Sequence, residues 1–280
     1  MDVSFLYTPA LRIDHLLKKK DAIFPSRVII DLEDSVHIRA KEQARRHVAQ
    51  FDFTELASAG FRFGMRVNQI SSYDGLADLA LIKELRGAGK AHIEYVLVPK
   101  VLHPNEVGIY RSLLSSLPKP PKIFSFIETA DAVDNADAIA AVSDGLCFGQ
   151  ADLAAEMYSP NTAFIDYARA RLCLAASRHR IPAIDTNSFE VKNMDIVHKE
   201  STIAKGYGFT GKAAIHPDQV AAINDVFAVS SQVVEKFKSS IAAYESAETG
   251  FAIRDGEVIA PPFITKARRM LAFYESQSES

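Results

Sequence analysis

The stretch RVIIDLEDSVHIRAKEQARRHVAQF, residues 27–51, contains one complete unit of the pattern that decides the fold. Its apolar run, Arg27–Leu32, predicts a short buried strand, and the amphipathic run Ile38–Phe51 predicts a helix. Eight such units follow one another within about 230 residues. Because each predicted strand is apolar enough to be covered on both faces, the repeats predict a closed parallel barrel wrapped in helices, the (β/α)8 TIM barrel.

The predicted elements alternate strictly along the chain. The strands are Val3–Thr8, Arg27–Leu32, Phe61–Val67, Tyr95–Pro99, Lys122–Ile127, Gly145–Phe148, Ala183–Asp185 and Gly211–Ile215. The helices are Ile13–Lys20, Ile38–Phe51, Tyr73–Arg86, Asn105–Leu117, Ala130–Ala141, Ala163–His179, Asp195–Lys205 and Pro217–Val229. An open doubly wound sheet is the alternative fold, but Tyr7-Thr8-Pro9-Ala10 follows the first strand where a dinucleotide-binding fold has its glycine-rich loop.

The chain continues beyond the eighth unit. We predict a catalytic barrel over residues 1–230 and an extension over residues 231–280. The extension reads as a helix (Gln232–Ser246), a hairpin (Thr249–Ile259) and a last helix (Pro262–Tyr274). It is an appendage rather than a second core.

Composition excludes several classes of function. The formal charge of −3 gives no basic field for nucleic acid or an anionic membrane surface. No apolar run approaches the roughly 18 residues of a membrane span. The two cysteines, Cys147 and Cys173, lie in apolar segments without metal or redox spacing, so we expect reduced core thiols in a cytoplasmic protein.

Polar residues end most of the predicted strands, at the rim where barrels of this class carry their active sites. Glu128 follows strand five and Asp152 follows strand six, which places two carboxylates at one mouth. Two hard oxygen ligands with open positions suit Mg²⁺, which keeps several waters. An ordinary salt-bridge role is the alternative for this pair.

Cationic residues reach the same rim. Arg66 offers a planar fork that can bind a substrate carboxylate, or it can pair with Glu33 or Asp34. Arg12 can meet an anion or can be a solvated residue, and Lys100 can neutralise developing charge or pair with the acids after strand two. His216, beside Pro217, is equally a helix-entry residue or a proton carrier.

Nine motifs, in order along nearly the whole chain, resemble the citrate lyase beta-subunit-like branch of the HpcH/HpaI aldolase and citrate lyase superfamily. They are Thr8–Arg12, Ile30–Val36, Lys41–Arg45, Arg66–Asn68, Val98–Val101, Ile127–Thr129, Phe148–Leu153, Pro182–Asp185 and Gly211–Val220. Asp34 follows Glu33 where the aldolases of free hydroxy-oxo acids have a histidine, which favours the lyase-like branch.

The resemblance implies a Mg²⁺-dependent (or Mn²⁺-dependent) carbon–carbon lyase on a TIM barrel, a homotrimer or a higher assembly. Its substrates would be thioesters of 3-hydroxy-dicarboxylic acids, of the malyl-CoA, citramalyl-CoA or citryl type, and its products an oxo acid and an acyl-CoA. Carried over, the metal ligands are Glu128 and Asp152, the catalytic set is Arg66, Asp34, Glu33 and Lys100, and the substrate-binding set is Arg12, Arg66, Ala151 and Asp152.

One departure from the family pattern concerns the general base. In the malyl- and citramalyl-CoA lyases, the extension carries an acid in a Gly-x-x-Val-Asp-x-Pro segment that serves a neighbouring subunit. Ala260 occupies that position here. Glu257, Asp255 or Asp34 would have to substitute, or the chemistry differs.

Three alternatives to a free-CoA lyase stay open. The chain can be the beta subunit of a citrate lyase-type complex that uses a carrier-protein thioester. It can be a divergent metal-dependent aldolase or thioesterase. Because the family base is missing, it can also be a barrel that binds an oxo acid without cleaving anything.

Overall fold

A computed structural model describes residues 2–158, 161–254 and 256–278. In this part of the chain, eight parallel strands close into one barrel in sequence order, and the last strand pairs with the first. The strands are β1 (Ser4–Pro9), β2 (Arg27–Asp31), β3 (Phe63–Arg66), β4 (Ile93–Val98), β5 (Lys122–Ile127), β6 (Gly145–Phe148), β7 (Ala183–Asp185) and β8 (Gly211–Ala214). The predicted TIM barrel is confirmed, and the open-sheet alternative is wrong.

The barrel interior is filled by side chains from its own strands. Phe5, Tyr95 and Phe124 contact one another, with ring centroids 4.9 to 6.2 Å apart. The same buried cluster contains Ile29, Leu97, Phe126, Cys147 and Ile184. A packed interior of this kind leaves room for a ligand only at the ends of the barrel.

Helices of very different lengths connect the strands. They are α1 (Lys41–Gln50), α2 (Thr54–Ser58), α3 (Tyr73–Gly87), α4 (Pro104–Leu114), α5 (Ala130–Asp134), α6 (Ala136–Ala140), α7 (Gln150–Ala155), α8 (Thr162–His179), α9 (Met194–Tyr207) and α10 (Gln219–Phe227). Short 3₁₀ helices cover Ala10–Leu16 and Ile38–Ala40.

Two helix predictions need correction, and two short helices were not predicted. The helix predicted at Ile13–Lys20 is a 3₁₀ helix over Ala10–Leu16, which has non-helical angles at Arg12. The helix predicted at Ala130–Ala141 is two helices, interrupted at Asn135. Sequence periodicity missed α2 and α7, because five or six residues are too short to show a helical repeat.

Strand register places charged residues side by side where the strands end. Asp31 on β2 is paired with Arg66 on β3, and Asp185 on β7 with Lys212 on β8. In a parallel pair, partners in register lie on the same face of the sheet. Asp31 and Arg66 line the site described below, and Asp185 directly precedes two of its lining residues, Thr186 and Asn187.

The structure divides into two compact units, and the second begins at Ala228. It contains α11 (Ser231–Glu245), the hairpin of β9 (Ala252–Arg254) and β10 (Glu257–Ile259), and α12 (Pro261–Ser278). Its small core contains Ala252, Ile259 and Ile264. Domain boundaries at residues 230 and 231 remain a prediction.

Both cysteines are free and buried, as predicted. Every described helix is too short or too polar to span a membrane.

Candidate active site

A cavity of about 270 Å³ opens at the carboxyl ends of the barrel strands. Its walls contain the last residues of several strands and the residues that follow them. The lining residues are Tyr7, Pro9, Asp31, Asp34, Ser35, Arg66, Phe126, Glu128, Phe148, Gly149, Ala151, Asp152, Thr186, Asn187, Phe189 and Ile215. Among them are five of the eight residues predicted for the site: Asp34, Arg66, Glu128, Ala151 and Asp152.

Glu128 lies directly after β5 and is 3% exposed. Its Oε1 accepts a hydrogen bond of 2.6 Å from the backbone N–H of Lys100. Lys100 donates from a left-handed backbone conformation (φ 51°), which is uncommon for a residue other than glycine. Burial raises the pKa of Glu128 to about 8, and the charges of Glu33 and Asp152 act in the same direction.

Gly149 makes room for the Glu128 side chain. A Cβ atom at Gly149 would lie 2.4 Å from both Cβ and Oε2 of Glu128. Real Cβ atoms essentially never make non-bonded contacts below 3.0 Å, so any side chain at position 149 would displace the Glu128 side chain. The glycine is required by this close approach rather than by a positive φ, since its φ is −103°.

Asp152 reaches the cavity from a helix rather than from a strand. It lies in the first turn of α7, which begins two residues after β6 ends, and it is half-buried. It lines the same cavity as Glu128.

Arg66 is bound by Asp31 through two parallel hydrogen bonds. Nε and Nη2 of Arg66 donate to the two carboxylate oxygens of Asp31, each over 2.7 Å. Burial raises the pKa of Asp31, but the charge and the hydrogen bonds of Arg66, with the hydrogen bonds from Ser35 and Glu33, together outweigh it and lower this pKa. The remaining nitrogen, Nη1, lies 2.8 Å from Oε2 of Glu33 and 3.6 Å from Oδ2 of Asp34.

Sequence reasoning left open whether Arg66 binds substrate or pairs with Glu33 or Asp34. The structure shows the pairing, and it shows that Asp31, which the sequence did not single out, takes one edge of the guanidinium. The missing information was the register between β2 and β3, which pairs Asp31 with Arg66. The sequence pattern alone does not contain this register.

Glu33 and Lys100 contact lining residues, Glu33 through Arg66 and Lys100 through Glu128. Glu33 is 7% exposed, and its Oε1 lies 3.7 Å from Nζ of Lys100. Burial raises the pKa of Glu33 to about 7, opposed by Arg66. Burial lowers the pKa of Lys100, but the nearby acids, Glu33 foremost, outweigh it and raise this pKa. Neither residue is among the described residues that line the cavity.

Two residues outside the predicted site fix the segment after β2. Nζ of the buried Lys41 donates to the carbonyls of Leu32 and Glu33, over 2.7 and 2.6 Å. Nδ2 of Asn68 also donates to the Leu32 carbonyl, over 2.9 Å. Only the presence of Lys41 in the Lys41–Arg45 motif pointed to it in the sequence.

Two candidates of the barrel, Arg12 and His216, do not line the cavity. Arg12 is exposed and is not among the described lining residues. His216 is also absent from the lining, and its Nδ1 accepts a hydrogen bond from the backbone N–H of Asp218. In the second unit, Ala260 directly precedes α12 and Glu257 is exposed, while Asp255 lies outside the described residues.

The donor set fits a divalent cation. Among the described lining residues, four carboxylates face one guanidinium, so negative charge is in excess. No group of three or more His, Cys, Asp or Glu side chains that could hold a metal is found in the described part of the chain. Two carboxylates suffice for Mg²⁺, which commonly takes one or two from the protein and fills its other positions with water and substrate oxygens.

Fold and site together define a (β/α)8 barrel whose mouth carries carboxylates that fit a divalent cation. The sequence profile of the HpcH/HpaI aldolase/citrate lyase family matches residues 6–217. The chain belongs to this family, as its motifs predict.

Curated relatives and solved structures agree with this assignment. The chain is 32% identical to a (3S)-malyl-CoA thioesterase of Cereibacter sphaeroides, over 98% of this chain and 94% of the relative. It is 25% identical to the mitochondrial citramalyl-CoA lyase of Rattus norvegicus, over 98% and 86%. The protein CitE from Mycobacterium tuberculosis, solved with magnesium, acetoacetate and coenzyme A, has the same fold at a TM-score of 0.73, with 24% identity and 97% of each chain covered.

Proposed function

We propose that this protein is a Mg²⁺-dependent carbon–carbon lyase that splits a 3-hydroxy-dicarboxylyl-CoA thioester into an oxo acid and an acyl-CoA. The observation that carries the proposal is that Glu128 and Asp152 share one cavity with Arg66. The names of the relatives support the substrate class, since they act on malyl-CoA and citramalyl-CoA. The complex of CitE with magnesium supports the metal.

Glu128 and Asp152 would hold the ion, Mg²⁺ or Mn²⁺. When bound, the ion would supply the positive charge that polarises the hydroxyl and carboxylate oxygens of the substrate. The protein prepares this position by holding Glu128 with the Lys100 amide and by leaving Gly149 without a side chain.

Arg66 would orient the carboxylate of the oxo-acid half. Its edge of Nε and Nη2 is occupied by Asp31, so the substrate would meet Nη1, where Glu33 now lies. Because Asp31 holds two of the three guanidinium nitrogens, the group is fixed in place before substrate binds, which reduces the entropy lost on binding.

Cleavage requires a base that takes the hydroxyl proton while the bond between the hydroxyl carbon and the carbon next to the thioester breaks. The electron pair of that bond becomes the enolate of the acyl-CoA, which is then protonated. Asp34 is our candidate base, because it lines the cavity and is exposed. We keep Lys100 and Glu33 as the groups that set the charge around Arg66, and Arg12 as a candidate contact for the thioester or its phosphates.

Hydrolysis of the same thioester is the second candidate. Two observations favour it: Ala260 removes the family base for carbon–carbon cleavage, and the relative of 32% identity is a thioesterase. In this reaction water would attack the thioester carbonyl, giving the free hydroxy acid and CoA.

Product analysis separates the two reactions. The pure protein is incubated with malyl-CoA or citramalyl-CoA and Mg²⁺, and acyl-CoA, CoA, oxo acid and hydroxy acid are quantified by chromatography. The lyase predicts acetyl-CoA together with glyoxylate or pyruvate, in equal amounts. The thioesterase predicts free CoA together with malate or citramalate.

Glu128→Gln and Asp152→Asn test the metal site. Each variant keeps the side-chain volume and removes one negative charge. We expect both to lose at least about a hundredfold in kcat/KM. Activity unchanged in both variants would refute the site. Turnover that appears only with an acyl carrier protein would favour a citrate lyase-type subunit, and oxo-acid binding without any product would favour a binding barrel.

We also propose a homotrimer or a larger assembly, as the family resemblance implies. Light scattering of the purified protein should then give at least three times the 30.8 kDa of one chain. A mass of one chain at assay concentration would contradict it.

A further inference from the structure

Arg169 joins two walls of the cavity without lining it. It lies on α8, its side chain is 13% exposed, and its guanidinium is 5.6 Å from the ring centroid of Phe148 and 5.7 Å from that of Tyr207. Its Nη2 donates a hydrogen bond of 2.8 Å to Oε1 of Gln150. The same nitrogen lies 3.5 Å from Oδ1 of Asp185.

Each contact leads to a different part of the site. Gln150 is the first residue of α7, the six-residue helix that carries Asp152. Asp185 ends β7, directly before the lining residues Thr186 and Asn187. Lys212 holds Asp185 from the other side, through a bond of 2.6 Å to Oδ2. Oδ1 accepts no hydrogen bond from the described residues, so Arg169 supplies the nearby charge.

We propose that Arg169 is a positioning residue for the metal site: through Gln150 it fixes the first turn of α7 and thereby Asp152. This inference rests on the proposed function, since it assigns Asp152 to the metal. A helix of six residues has few hydrogen bonds of its own, so an outside contact at its first residue sets its orientation. Mg²⁺ demands near-ideal octahedral geometry, so a small displacement of one carboxylate weakens binding.

Direct Mn²⁺ binding, followed by electron paramagnetic resonance, tests the proposal without turnover. Gln150→Met keeps the side-chain length and removes the acceptor, and Arg169→Met removes the donor. Arg171→Met is the matched control: Arg171 lies on the same helix, but its Nη2 donates to the Asp134 carbonyl, away from α7. Thermal unfolding of each variant reports whether the fold is kept.

We expect Gln150→Met and Arg169→Met to raise the Mn²⁺ dissociation constant about tenfold or more, with Arg171→Met unchanged. Arg169→Lys, which keeps the charge and a donor, should restore part of the affinity. In turnover assays, excess Mg²⁺ should bring kcat of Gln150→Met back toward the wild-type value, a rescue that a loss of general stability would not show.

A wild-type Mn²⁺ affinity in Gln150→Met would overturn the positioning role, even if Arg169→Met fails to fold. Failure of the proposed function is distinguishable, because the unaltered protein would then bind no Mn²⁺ or cleave no thioester. A wild type that binds Mn²⁺ tightly, with variants that bind it equally well, would refute only the inference.

Discussion

At the scale of single residues, the site depends on which side chains are absent as much as on those present. Gly149 lies against Glu128, and any added carbon would overlap the carboxylate. The sequence showed a glycine after an apolar run, in the Phe148–Leu153 motif, but gave no reason for it. The reason is a contact between the residues that directly follow β5 and β6, which a linear pattern does not contain.

Gly149→Ala should therefore weaken divalent-metal binding by at least about tenfold, because Glu128 must move away from its present position. Mn²⁺ titration of the purified variant measures this. Gly108→Ala is the control, since a Cβ at Gly108 in α4 would meet no atom within 4 Å. Equal metal affinity in Gly149→Ala and the wild type would show that Glu128 is not a ligand in its present position.

Asp31 and Arg66 show what sequence reasoning reached and what it did not. Arg66 was recognised as a polar residue at the end of a strand, because the apolar run before it is clear, whereas Asp31 was not singled out. Their mutual pairing was missed, because it depends on the register between β2 and β3. The sequence thus indicated the rim of the cavity but not the contacts that orient each side chain there.

At the scale of elements, the barrel strands were predictable because each is a short, continuously apolar run. The short helix α7 was not, and with it the sequence missed how Asp152 enters the cavity. The buried pair of Asp185 and Lys212 also depends on register, this time between β7 and β8. Both side chains are almost fully buried, at 0% and 1% exposed, and Nζ lies 2.6 Å from Oδ2.

Lys212→Met should lower the free energy of unfolding by about 3 kcal/mol, since it leaves a buried carboxylate with only the more distant Arg169 for compensation. Urea unfolding at neutral pH measures the loss. The double variant Asp185→Asn with Lys212→Met should be less destabilised than the sum of the two single variants, because no unpaired charge remains. Additive losses would mean that the two charges do not interact.

At the scale of the whole molecule, the two ends of the barrel have different electrostatic roles. The carboxyl ends of the strands carry excess negative charge around the cavity. The opposite end has a compensated network, in which Glu94 accepts hydrogen bonds from Arg27 and Arg62 over 2.6 to 3.1 Å. Compensated charge at the amino ends of barrel strands is expected to serve stability.

The pH dependence of stability should reflect this network. Burial raises the pKa of Glu94, but Arg62 and Arg27 together outweigh burial and hold this pKa below its usual 4.5. A lowered folded-state pKa means that the stabilisation is complete above pH 4.5 and is lost as the pH falls through the folded-state value. Acid unfolding should therefore begin below pH 4.5.

Glu94→Gln should lower the free energy of unfolding by about 1 to 3 kcal/mol at neutral pH and by less at about pH 3.5. Denaturant unfolding across this range checks it. Glu42→Gln, at a side chain that is 74% exposed, should change stability by less than about 0.5 kcal/mol throughout. If the difference in unfolding free energy between Glu94→Gln and the wild type stays constant as the pH falls, the network is not the source of that difference.

The central claim is that Glu128 and Asp152 hold one divalent cation at the mouth of the barrel. The most direct test is the stoichiometry and affinity of Mn²⁺ binding to the wild type, Glu128→Gln and Asp152→Asn, with Mg²⁺ as competitor. We predict one Mn²⁺ per chain, displaced by Mg²⁺, and an affinity at least about tenfold weaker in each variant. Unchanged affinity in both variants, or no binding to the wild type, would contradict the account.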